Sequence, residues 1–181
     1  MRSETLWYAI KVRTRAEERI AQHIAVKGYG VYVPTYLEMR QYSDRVRRTP
    51  VALFPGYVFC DLDIRQRLPI LTIPGVEGFV SFGGEPTPVP NTELNAVKGA
   101  LDSGLGAHPC EYLKLGDKVR VQVGPMRGVE GILSREKTRS RLILSVHLLQ
   151  RSLAVEVERE WLELIDKERR PLQYSKLTIS F

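Results

Sequence analysis

Three histidines, two cysteines and a scatter of glycines are the first residues to test for chemistry. His23, His108 and His147 are widely separated, and Cys60 and Cys110 have neither metal-ligand spacing nor a disulfide framework around them. Gly28, Gly30 and the Gly83-Gly84 pair make no phosphate-binding fingerprint, and no nucleophile elbow occurs. No enzyme, cofactor or metal is therefore expected. Two other groups of residues act by contact. Between residues 39 and 50, Arg40, Arg45, Arg47 and Arg48 are set against Asp44 alone, with Gln41, Tyr42 and Ser43 among them. Guanidinium groups spaced by polar and aromatic side chains suit phosphate contact with occasional base stacking. A solvated arm kept soluble by its charge is an equally open reading.

The second group lies in Leu53–Leu62, where aromatic and β-branched residues follow a Pro-Gly turn signal and predict a strand. Alternation puts Tyr57 and Phe59 on one face and Phe54, Val58, Cys60 and Leu62 on the other. Both faces are apolar. Helices cover one face of a sheet in a small domain, so the second face is expected to stand open to a partner protein or to be covered by the chain itself.

The elements that position these residues follow from pattern. Leu6–Arg13 alternates as a strand, with Tyr8, Ile10 and Val12 on one side and Trp7, Ala9 and Lys11 on the other. Thr14-Arg15-Ala16-Glu17 reads as a capping box, opening a helix whose stripe is Ile20, Ala21, Ile24 and Ala25 and which stops at Gly28. Strands follow at Val31–Val33 and Gly78–Phe82, a turn or short helix carries Arg65, Gln66 and Arg67, and Asn91 opens a helix striped by Leu94, Val97 and Leu101. After the small residues from Gly104 to Pro109 the chain reads as all-β, with Val119, Val121 and Val123 alternating against polar residues and Gly124-Pro125-Met126-Arg127-Gly128 forming a tight turn. The expected organisation is an α+β layer over residues 1–103, with helices on one face of an antiparallel sheet, a linker at 104–112, a small barrel at 113–166 and a tail at 167–181.

With 181 residues and 43% hydrophobic content the chain can bury a core. A formal charge of +6 and a pI near 9.4 are compatible with a polyanionic partner. Met1-Arg2-Ser3-Glu4 leads straight into a strand-like run without an apolar leader, and no stretch approaches a membrane span, so a cytoplasmic protein with no membrane partner is expected.

The run Gly116-Asp117-Lys118-Val119-Arg120-Val121 with Gly124, Pro125, Gly128 and Gly131 resembles a KOW motif, found in SH3-like barrels. Trp7-Tyr8, then Phe54-Pro55-Gly56-Tyr57-Val58-Phe59, then Pro74-Gly75-Val76-Glu77-Gly78-Phe79-Val80 resemble the amino-terminal (NGN, ferredoxin-like) domain of the NusG family of transcription elongation and antitermination factors. Together the likeness covers about residues 6–165.

That resemblance implies an RNA polymerase-binding depression laid on the clamp helices and built from Trp7, Tyr8, Phe54, Pro55, Tyr57 and Phe59. It also implies a cleft-bridging segment at Arg65, Gln66 and Arg67, and a position near upstream or non-template DNA for Arg40, Arg45, Arg47 and Arg48. The KOW barrel would recruit a second partner, the ribosomal protein NusE or the termination factor Rho, in a monomeric protein. The arginine arm and Leu148-Leu149-Gln150-Arg151-Ser152 look more like specialised paralogues of the RfaH, UpxY and LoaP kind. Valine alternation and glycine turns around Leu142–Val157 favour a barrel over a helical refold. The rival reading is an RNA-binding or ribosome-associated KOW protein.

Overall fold

A computed structural model describes residues 5–41, 46–110, 117–136, 139–166 and 178–180. The chain is α+β with antiparallel pairing throughout, followed by an all-β region, the class expected. It opens with β1 (Leu6–Val12), α1 (Glu17–Val26), β2 (Gly30–Tyr32), β3 (Thr35–Gln41), β4 (Val46–Ala52) and β5 (Tyr57–Leu62). Next come α2 (Leu68–Leu71), β6 (Val76–Phe82), the two-residue β7 (Glu85–Pro86) and α3 (Asn91–Asp102). The remainder is β8 (His108–Cys110), β9 (Asp117–Val121), β10 (Glu130–Glu136), β11 (Arg139–Val146), β12 (Arg151–Val157), β13 (Leu162–Asp166) and β14 (Thr178–Ser180). Contacts divide it into two compact units: Met1–Val33 with Phe54–Asn91 and Tyr174–Phe181, and Pro34–Leu53 with Thr92–Gln173.

The first unit is a sheet in the order β14-β6-β1-β5-β2, with β7 beside β6. β1 lies in its middle, because its alternating residues have a core on each side: Ile10 faces Phe79 of β6 and Val58 of β5 in register. Tyr8, Ile10, Val12, Val58, Cys60, Leu62 and Phe79 form one buried cluster with Ile20 and Ile24 of α1 and Ile70 of α2. The helical stripe read from sequence thus covers the predicted face, and α1 ends at Gly28, whose φ of 87° a side chain would resist.

The start of α1 departs from the expected capping box. Ala16 occupies the N-cap and makes no side-chain cap, while Arg15 adopts a positive φ of 68°. Glu17, instead of reaching back to Thr14, is buried and accepts a hydrogen bond from the Gly56 amide at 2.7 Å. The Gly56 carbonyl in turn accepts from Val12 N at 2.9 Å. A distant backbone donor has displaced the local partner, since a carboxylate taken out of water must be paired.

In the second unit β3 and β4 form a two-stranded ribbon that places Arg40 opposite Arg47 and Met39 opposite Arg48. Leu94, Val97 and Ala100 are the buried positions of α3. The all-β sheet runs β13-β9-β10-β11-β12-β8. Residues 108–110 of the expected linker are therefore ladder partners of Ala154–Ser152, and α3 is tied to the end of β11 by Glu93, which accepts from His147 N at 3.0 Å and lies 2.7 Å from its Nδ1. Residues of the expected tail form β14 in the first unit.

Glu17→Ala leaves the Gly56 amide buried without an acceptor, and the expected loss of stability is about 1–3 kcal/mol. A urea midpoint lowered at unchanged denaturant slope checks it.

Candidate functional site

β5 enters from a turn, and the turn decides which aromatic rings reach solvent. Tyr57 N donates to Phe54 O at 3.1 Å, and Gly56 has φ +82°. Strand alternation therefore begins only at Tyr57. Phe54 is carried round to the Tyr57 side, its ring edge-on to Phe59 with centroids 6.0 Å apart. Tyr32 of β2, paired with Phe59 in register, lies against the same ring at 6.4 Å.

Of the two readings of the second face, these contacts favour cover by the chain itself, and they remove Phe54 and Phe59 from the accessible surface that the resemblance implies. Phe59 is 0% exposed and Phe54 1%, because each supplies part of the other's cover, with Tyr32 adding to it. Tyr8 is only 5% exposed, on the α1 face and edge-on to Phe79. It cannot share a surface with Tyr57. What remains accessible is exposed Pro55 with half-buried Tyr57, Tyr32 and Trp7. Lys11 sits across from Tyr57 with Nζ 6.0 Å from the ring centroid, a cation held over an aromatic face. The site is a rim of half-buried rings on a floor of two buried phenylalanines.

The next candidate group leaves β5 directly. Asp63, buried, caps the turn Ile64–Gln66 by accepting from Arg65 N at 3.0 Å, and its carboxylate takes the Arg65 guanidinium through Nε at 3.0 Å and Nη2 at 2.8 Å. Arg65 is thus oriented while its outer side remains exposed. Gln66 is exposed, and Arg67 Nη1 donates to Ile64 O at 3.3 Å. On the ribbon, Arg47 and Arg48 are exposed on β4 and Arg40 takes its backbone place in β3. Arg45 lies outside the described residues.

The glycine motif of the all-β unit is architectural. Val119 is core, and Pro125 is exposed at the turn tip. Gly128 N reaches Val121 O at 2.7 Å with φ +89°, and a Cβ on Gly124 would meet the Trp161 ring at 3.3 Å. A Cβ on Gly131 would come within 2.6 Å of the Ile143 carbonyl, so no other residue fits there without moving β11. Gly116 lies outside the described residues.

Sequence reasoning missed Tyr32, Glu17 and Asp63. Tyr32 is two residues before a proline in a three-residue strand, and only the β2–β5 register reveals its ring contact. Among the described residues no three His, Cys, Asp or Glu side chains are grouped to hold a metal ion, and no helix is long and apolar enough to cross a membrane.

The site thus consists of half-buried rings on an antiparallel α+β sheet followed by an all-β unit, with Arg65 oriented by Asp63 just after β5. The family model described as transcription termination factor nusG matches residues 5–98, more than half of the chain. The chain belongs to the NusG family. It is 28% identical over 174 residues to a transcription termination/antitermination protein NusG of Vibrio vulnificus, covering 88% of this chain and 96% of that one. To the Borreliella burgdorferi protein of the same name it is 26% identical over 182 residues, covering 88% and 98%. A solved structure of Thermotoga maritima NusG, concerned with its domain interaction, shares the fold with a TM-score of 0.53 at 24% identity, covering 90% of this chain and 98% of that one.

Burial, and secondarily the Asp61 charge, push the Cys60 thiol from its ordinary 9.0 up to about 12. The neutral thiol is favoured in the folded state, so its contribution to stability is complete below pH 9 and is lost as pH rises toward 12. The Tyr8 phenol, raised by burial and then by Asp63, acts in the same direction. Cys60→Ala is expected to flatten the alkaline fall in stability, measured by denaturant unfolding between pH 8 and pH 11, and in the native chain Cys60 should resist alkylation at pH 8.

Proposed function

We propose that this protein is a transcription termination/antitermination factor that binds RNA polymerase through the rim formed by Trp7, Pro55 and Tyr57 on the Phe54–Phe59 floor. Membership of the NusG family supports the class. The observation that carries the surface is the arrangement itself, half-exposed rings backed by fully buried ones. A ring already held by packing loses little freedom on binding, and desolvated aromatic anchors dominate interface energetics. The clamp helices of the polymerase are the proposed counterpart. Tyr8 packs edge-on against Phe79 on the far side of the sheet and is left out of the proposed polymerase contact.

Arg65, Gln66 and Arg67 are the proposed bridge to the opposite side of the polymerase cleft, with Asp63 fixing the direction of Arg65. Arg47 and Arg48, joined by Arg40 and Arg45, are the proposed contacts to upstream or non-template DNA. The all-β unit is the proposed recruiter of NusE or Rho. The arginine ribbon supports a specialised, operon-restricted paralogue, and mapping of bound genomic positions separates that role from a general one. By holding the polymerase clamp closed through differential affinity, such a protein biases the enzyme away from paused conformations.

Purified core polymerase without nucleic acid is the test. The protein is expected to co-migrate with it, and Trp7→Ala with Tyr57→Ala to weaken binding at least tenfold, about 1.4 kcal/mol or more, while leaving the unfolding free energy within about 1 kcal/mol of wild type. Unchanged affinity in the double variant overturns the surface. The exposed arginines favour one rival, an RNA-binding or ribosome-associated module, for which association requires RNA and falls steeply with salt.

A further inference from the structure

The first unit's sheet is completed by β14, which comes from the last residues of the chain. Thr178 stands opposite Ser81, Ile179 opposite Val80 and Ser180 opposite Phe79. The other edge of β6 is taken by β1 along Val76–Phe79 and by β7 at Ser81 and Phe82. Thr87 N donates to Val80 O at 3.2 Å, so the Val80 peptide groups face β7. Successive residues of a strand point their N–H and C=O to opposite edges, which turns those of Phe79 and Ser81 outward, to the side where β14 lies. Both residues are fully buried. Without β14, a run of unpaired backbone donors and acceptors would border an apolar core, the condition under which a sheet edge takes up another strand.

The terminal sequence Leu177-Thr178-Ile179-Ser180-Phe181 suits that position, alternating apolar and polar residues of high β-propensity. The ladder is only three residues long, so covalent tethering rather than extensive pairing keeps it in place. We propose that the outer edge of β6 at Phe79–Ser81 is a strand-acceptor site for an extended peptide of alternating apolar and polar residues. The chain's own C-terminal segment occupies it in cis, and a second copy of that segment can occupy it in trans.

Thr178→Pro in the full chain removes the backbone N–H that faces the outward-turned Ser81 and so disfavours the ladder. Amide exchange at Phe79 and Ser81 is expected to quicken at least tenfold in this variant, while amides of the β1–β5 pair keep their protection. A labelled peptide of residues 172–181 is expected to bind the variant saturably at one per chain, and the wild-type chain at least tenfold more weakly. A second variant ending at Asp166 is expected to behave as Thr178→Pro does. Exchange at Phe79 and Ser81 unchanged in both variants, or no peptide binding by either, overturns the proposal.

Discussion

The hydrogen bond between the Glu17 carboxylate and the Gly56 amide is the contact on which the first unit's arrangement depends. Three elements meet there: the first residue of α1, the end of β1 through the Val12–Gly56 bond, and the turn that launches β5. The carboxylate sits in the first turn of a helix, where the backbone dipole favours negative charge, and it is buried. Removing it would free the turn that brings Phe54 round to Phe59. The aromatic rim therefore inherits its shape from Glu17, at the start of the helix that packs on the other face of the sheet.

Much of this fold is written in local pattern. The alternation of Tyr8, Ile10 and Val12, the stripe of Ile20 and Ile24, the stop at Gly28 and the alternating valines of β9 all stand where periodicity places them. What pattern cannot supply is the far partner. Period-two spacing shows that both faces of β5 are apolar and leaves open whether a partner or the chain itself covers the second. Whether Phe59 is covered depends on a turn that breaks alternation at Phe54 and on a register that brings Tyr32 across, neither of which is encoded in neighbouring residues. Glu17 illustrates the same limit. Its spacing from Thr14 fits a capping box, yet a donor 39 positions away takes the carboxylate.

The all-β unit uses a different economy. Its glycines stand where backbones or rings come too close for a Cβ, at Gly131 against Ile143 and at Gly124 against Trp161. Its surface carries paired charges, with Lys118 and Arg120 both on Glu130, whose carboxyl is thereby held below the usual carboxylate range. Such exposed pairs add little stability and leave the unit's cohesion to its buried Leu142, Leu144, Leu153 and Val155. The Glu93–His147 contact shows that the region after α3 is no bare string, since helix and sheet are joined by a carboxylate that accepts from a backbone amide.

The β3–β4 ribbon has a consequence of a colloidal kind. It pairs with no other strand among the described residues, and it displays Leu37 at 62% and Met39 at 69% exposure. A two-stranded ribbon with exposed greasy side chains is prone to stack with its own kind. Pro50, which lacks an amide hydrogen, and the exposed guanidiniums of Arg47 and Arg48 oppose that stacking by blunting one flank and by mutual repulsion. The same arginines thus serve as a guard against clumping in the crowded cell, and that guard weakens as ionic strength rises.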